Sequence, residues 1–145
     1  MNLPRKKILI VDDEEDLAGL IRTRLESHRF NVSTANDGDE GLSKVREIHP
    51  DLIILDIGMA RTDGYSFVLE LRKDPEHASI PIIVLTAKDK MQDLFKIEGV
   101  NDYMLKPFSS QELVQRVSEL LREKVSLENT SSQEKSRTGK TRSES

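Results

Sequence analysis

Four short apolar runs punctuate this chain, and each stops on a polar residue with chemical potential. Lys7-Ile-Leu-Ile-Val runs into Asp12-Asp13, and Asp51-Leu-Ile-Ile-Leu runs into Asp56. A third run, Ile82 to Leu85, stops at Thr86, and a fourth closes at Lys106. Runs this short, apolar on consecutive residues and bounded by loop formers, read as parallel strands covered on both faces. If the strands are neighbours, their carboxyl ends gather three carboxylates, one hydroxyl and one amine at a single edge. That edge of an open α/β sheet is where ligands bind.

Helical spacing fills the intervals. Leu17, Leu20, Ile21, Leu25 and His28 form the expected inward stripe of a first helix. A short strand at Asn31 to Ala35 follows, then the turn Asn36-Asp37-Gly38. A second helix turns Leu42, Val45 and Ile48 inward and stops before His49-Pro50, because the residue before proline avoids the helical region. Asp63-Gly64 leads into a third helix with Phe67, Val68 and Leu71 facing the core. A weaker helix is expected over about 90–98, ended by Gly99. The last strand covers about Asp102 to Leu105. Ser109 and Glu112 then have capping-box spacing before Leu113, Val114, Val117, Leu120 and Leu121. The alternation of strand and helix predicts a parallel sheet with helices on both faces.

The 145 residues suffice for one domain with a real core. The expected division is a folded domain over 1–125 and a disordered polar tail over 126–145. The tail is Ser, Thr, Lys, Arg and Glu with almost no apolar residue, so burial cannot offset the entropy of ordering it. A net charge of -4 argues against a nucleic-acid-binding surface, which is normally basic. With no cysteine, disulfides, thiolate zinc sites and cysteine catalysis are excluded, and a reducing compartment fits. Arg5, Lys6 and Lys7 precede an apolar run too short for a signal peptide, and no segment could span a membrane. A cytoplasmic protein without membrane contact is expected.

Three acids at one edge repel each other unless protons or a cation neutralise them. Oxygen-only ligands favour a hard ion, and a few carboxylates plus water suit Mg²⁺. Asp56 is then a competent covalent nucleophile toward a phosphoryl donor. Lys106 supplies an ammonium for the transferring oxygens, and Thr86 a hydrogen-bond donor. His28, His49 and His77 lie in separate segments without metal-ligand spacing, so surface or core-edge roles are expected for them.

Taken in order, Asp12-Asp13, Asp56, Thr86-Ala87 and Lys106-Pro107-Phe108 resemble a response-regulator receiver domain, the phosphoacceptor half of two-component signalling. The resemblance covers about residues 5 to 123. It implies a flavodoxin-like (βα)5 doubly wound sheet with strand order 2-1-3-4-5. It implies that Asp56 accepts the phosphoryl group from a sensor histidine kinase or phosphotransfer protein. Asp13, Asp56 and the backbone carbonyl of Gly58 would bind Mg²⁺ directly, and Asp12 through water. Thr86, with Ala87 beside it, would move toward the phosphate, and Tyr103 would turn inward with it. Lys106 would pair with the phosphate, and its bond to Pro107 would be cis. Output would pass through protein contacts of the face made by the 90–98 helix, the last strand and the last helix, where Met91, Leu94 and Phe95 also lie.

The chain departs from the family where Met59-Ala60 stands in place of the frequent Met-Pro. Gly58 and Lys88 occupy two positions that tune phosphoryl loss in the family, and Gly58 has no side chain to steer water. The implied protein is a switch rather than an enzyme. Its output partner is unnamed by sequence, and dimerisation on activation is left open. Two rivals are an aspartyl phosphatase, which needs a second acid where Gly58 stands, and a phosphate-independent pseudo-receiver, against which the complete acid, Thr and Lys set argues.

Overall fold

The computed structural model describes residues 4–58, 64–87 and 99–134, with side chains of the last helix described as far as residue 122. Five parallel strands form one sheet: β1 (Lys7–Val11), β2 (Asn31–Ala35), β3 (Leu52–Asp56), β4 (Ile82–Ala87) and β5 (Asp102–Lys106). Their spatial order is β2-β1-β3-β4-β5, the expected doubly wound, flavodoxin-like arrangement. Four helices are described: α1 (Glu15–Glu26), α2 (Gly38–Ile48), α3 (Gly64–Lys73) and α4 (Ser110–Glu134). The helix expected over 90–98, with Met91, Leu94 and Phe95, lies outside the described residues.

Alternation within each strand divides the core into two layers. Ile8, Ile10, Leu52, Ile54, Ile83 and Leu85 point to one face, against Ile21 and Leu25 of α1 and Leu113 and Val117 of α4. Leu9, Val11, Ile53, Leu55, Ile82 and Val84 point to the other, against Val45 of α2 and Phe67, Val68 and Leu71 of α3. With both faces covered, the central strands β1, β3 and β4 carry unbroken apolar runs until they emerge at their ends, whereas the edge strands β2 and β5 admit polar residues and are only partly buried. Gly41 sits where α2 crosses the sheet. A Cβ there would lie 3.0 Å from both Phe67 and Val11, so the residue permits the close approach of that helix.

Local signals set the helix boundaries. Asp37 caps α2 by accepting from the Glu40 backbone N–H at 2.9 Å, while the Glu40 carboxylate accepts from Asn36 N–H at 2.8 Å. The α4 cap forms as expected, with Ser109 Oγ accepting from Glu112 N–H at 2.9 Å.

One expectation needs correction. Leu20 is 70% exposed and His28 lies beyond the end of α1. The buried stripe runs through Ala18, Ile21 and Leu25, and Leu20 falls about 100° away from Ile21 around the helix. Helix α4 is described as far as Glu134, into the segment for which composition predicts a disordered tail. Once packing has nucleated a helix, each further residue adds a hydrogen bond at little cost.

Ile54→Ala, on a central strand and fully buried, should lower unfolding free energy by about 2–5 kcal/mol in a denaturant titration. Leu20→Ala should change it by no more than about 0.5 kcal/mol.

Candidate functional site

The carboxyl ends of β1, β3 and β5 bring the sequence-selected polar residues to one edge. Asp12 and Asp13 follow β1, Asp56 ends β3, and Lys106 ends β5. Asp12 is 1% exposed and Asp56 3% exposed, while Asp13 is exposed. Carboxylate oxygens of the three acids lie within 4.8 Å of one another. Lys106 Nζ donates to Asp56 Oδ2 at 2.8 Å and to Glu14 Oε1 at 3.2 Å. Asp56 Oδ1 accepts from the Gly58 backbone N–H at 2.8 Å, and Asp12 Oδ1 from Glu14 N–H at 2.9 Å. Asp12 Oδ2 is buried without a hydrogen-bond partner.

Burial pushes the Asp12 carboxyl up to about 7, and the neighbouring Asp56 charge adds to the rise against the Glu14 N–H and Lys106. Lys106 shows the opposite balance. Burial disfavours its charged form, but the hydrogen bond and charge of Asp56, with help from Glu14, carry its pKa above the ordinary lysine value. The site is therefore a cluster of two buried acids and one exposed acid, offset in part by one ammonium and in part by the raised affinity of Asp12 for a proton. Its orphaned oxygen and oxygen-only donor set suit a small hard cation.

The remaining sequence-selected residues lie around this centre. Thr86 is buried, and its hydroxyl donates to the Ala87 carbonyl at 3.1 Å. In the β4–β5 register Thr86 pairs with Leu105 and Ala87 with Lys106. The Lys106–Pro107 peptide bond is cis. Tyr103 is 44% exposed and borders a groove of about 340 Å³ lined also by Leu105, Pro107, Phe108, Glu112 and Arg116. Arg116 on α4 is ion-paired with Asp102 on β5, closing one side of that groove.

Sequence reasoning missed two features. Glu14, not singled out in the sequence, shares the ammonium of Lys106. Position alone could have flagged it, since it directly follows the acidic pair at the same strand end. His49 and His77, read as unrelated, meet through Nδ1 and Nε2 at 2.8 Å. They sit 28 residues apart, and only the packing of α2 beside α3 brings them together.

The Asp12 shift fixes a pH dependence. A carboxyl whose pKa is raised by folding binds its proton more tightly in the native state. Stability then falls as pH rises from the ordinary carboxylate value of 3.8 through about 7, and levels off above. Thermal unfolding of the cation-free protein should show this decline, and Asp12→Asn should abolish most of it and be the more stable protein at pH 8.

Comparison with known proteins agrees with this geometry. The family model described as response regulator receiver domain matches residues 8–118. A probable transcriptional regulator, ycf27, of Cyanophora paradoxa is 44% identical over 124 residues, covering 84% of this chain and 51% of the relative. The alkaline phosphatase synthesis transcriptional regulatory protein PhoP of Bacillus subtilis is 44% identical over 119 residues, covering 81% of this chain and 49% of the relative. The chain thus spans about half the length of these relatives. Among solved structures, a response regulator of Chloroflexus aurantiacus superposes with a TM-score of 0.74 at 33% identity, covering 82% of this chain and 99% of that one. Chemotaxis protein CheY4 of Vibrio cholerae gives 0.72 at 27%, covering 80% and 98%. This chain belongs to the response regulator receiver family.

Proposed function

We propose that this chain is a phosphoacceptor switch in which Asp56 takes a phosphoryl group from a histidine kinase or phosphotransfer protein. The observation that carries the reading is Lys106 Nζ at 2.8 Å from Asp56 Oδ2, beside the buried acids. An Asp56 oxygen attacks the phosphorus of the donor phosphohistidine. The donor N–P bond breaks, an acyl phosphate forms on Asp56, and the donor leaves as an imidazole. Lys106 exchanges the carboxylate for a phosphoryl oxygen and so keeps its charge paired throughout. Thr86 gives up the Ala87 carbonyl and donates to another phosphoryl oxygen.

Receiver domains generally bind Mg²⁺ at this acidic pocket, and the donor set here fits it. Asp13, Asp56 and the Gly58 carbonyl would hold the ion directly and Asp12 through water. Bound there, Mg²⁺ supplies positive charge against the phosphoryl oxygens.

Tyr103 follows Thr86 inward from its exposed position, reshaping the groove beside Arg116. That change of two populations is read by an output protein at the β5–α4 face. The relatives named as transcriptional regulators narrow one expectation. DNA control belongs to their outputs, so the exclusion of nucleic acid is not carried forward. No helix among the described residues is long and apolar enough to cross a membrane. A cytoplasmic location goes with the phosphoryl source, because a histidine kinase draws on cytoplasmic ATP.

Intact mass after incubation with a small acyl-phosphate donor and Mg²⁺ tests the reading. The wild type should gain one phosphoryl group, and Asp56→Asn none. Lys106→Ala should still gain it but lose the phosphate-induced change in Tyr103 fluorescence. A folded wild type that gains no mass from either the small donor or a phosphorylated histidine kinase would overturn the proposal in favour of a phosphate-independent binding module.

A further inference from the structure

At the opposite edge of the sheet, where the strands begin, a second cluster of ligand-bearing side chains is assembled. His49 terminates α2, immediately before the segment leading into β3. His77 and Glu76 lie in the turn between α3 and β4. His49 Nδ1 is 2.8 Å from His77 Nε2 and 3.6 Å from Glu76 Oε2. One ligand atom from each of the three residues fits within 4.8 Å of the others.

We propose that His49, His77 and Glu76 form a binding site for a divalent transition-metal ion of the Zn²⁺ type. Two imidazoles and a carboxylate suit borderline ions such as Zn²⁺, and three protein ligands leave a fourth position for water.

His77 is the fixed ligand. It is 3% exposed, and its Nδ1 is 2.7 Å from Asp74 Oδ2. A carboxylate can only accept, so Nδ1 carries the ring hydrogen and the Nε2 lone pair faces the cluster. A metal-bound histidine is oriented by this same carboxylate–histidine arrangement. The turn that carries it is itself braced. Glu76 N–H donates to Asp74 Oδ1 at 3.0 Å, and the Arg72 guanidinium donates to the carbonyls of Ala78 at 2.7 Å and Ile80 at 2.9 Å.

His49 and Glu76 are the adjustable ligands, since both side chains are more than half exposed. The two imidazoles lie nearly in one plane, with centroids 5.0 Å apart and 19° between the rings, so a single hydrogen is held between their nitrogens. Tetrahedral zinc with bonds of about 2.0–2.1 Å separates its ligand atoms by about 3.3–3.4 Å. The His49–Glu76 distance is already close to this. The His49–His77 distance must open by about half an ångström as the cation replaces the shared hydrogen. His49 then takes its other tautomer, with the hydrogen on Nε2, and no net proton is lost from a neutral ring.

The backbone at His49 gives independent support. It holds a left-handed conformation, φ 50° and ψ 68°, at a helix C-terminus where glycine is the relaxed choice. The chain keeps an imidazole at a position where its backbone favours having no side chain. An ion bound here would tie the end of α2 to the α3–β4 turn.

The test is titration of the metal-stripped full chain with Zn²⁺ in excess Mg²⁺, which occupies the oxygen-only acids. One zinc per chain should bind, and Co²⁺ substitution should give the intense visible bands of a four-coordinate site. His49→Gly removes a ligand and relieves the backbone, so it should fold at least as stably yet bind zinc at least about tenfold more weakly. Asp74→Asn should weaken binding about 10–100-fold. Asp13→Asn should leave zinc binding intact, and His49→Gly should leave phosphoryl uptake intact. Absence of saturable zinc binding by the folded chain, equal affinity in His49→Gly, or loss of binding in Asp13→Asn would each overturn the proposal.

Discussion

The pairing of two buried aspartates, Asp12 and Asp56, is the constraint around which this molecule is arranged. Like charges at close range inside a protein cannot both be ionised without compensation. Here the compensation comes from Lys106, whose ammonium reaches Asp56 at 2.8 Å, and from the raised affinity of Asp12 for its proton. Both devices are provisional in chemical terms. Under the proposed function a cation would displace the proton, and a phosphoryl group would draw away the ammonium. The resting charge balance is thus the part of the structure that the proposed ligands alter.

The sheet makes that arrangement affordable in conformational terms. Asp12, Asp56 and Lys106 are far apart in sequence, but each stands at the carboxyl end of a strand, directly after apolar residues. Parallel pairing of β1 with β3, β3 with β4 and β4 with β5 aligns those strand ends. The two core layers then fix the strands to a single register, because a one-residue slip would exchange the side chains fitted against α1 and α4 with those fitted against α2 and α3. Positioning of the acids is therefore a consequence of core packing rather than of contacts among the acids themselves.

This is why so much of the site was legible without coordinates. Apolar runs that halt on Asp12, Asp56, Thr86 and Lys106 encode both the strands and the identity of their ends. What sequence could not show is where side chains go once they leave the periodic elements. Leu20 was placed inward because leucine in a helix is usually buried, yet the stripe is centred on Ile21. Glu14 was not singled out, because its reach to Lys106 depends on a strand whose sequence lies more than ninety residues later. The histidines were harder still. Spacing rules detect ligands carried on one helix or hairpin, whereas His49 and His77 meet across the packing of α2 and the α3–β4 turn.

The two ends of the sheet consequently differ in kind. At the carboxyl edge every donor is oxygen, partly buried and deficient in positive charge. At the amino edge two ring nitrogens join one carboxylate, with a second carboxylate behind the fixed ring. Ion hardness separates these sets: magnesium prefers oxygen and dehydrates reluctantly, while zinc gains from imidazole. Two cations could therefore be held on one small domain without competing. A tie between α2 and the α3–β4 turn would lie beside the starts of β3 and β4, the strands that carry Asp56 and Thr86. An ion held at the amino edge would therefore sit at the start of the same two strands that carry the proposed phosphoacceptor site at their other end.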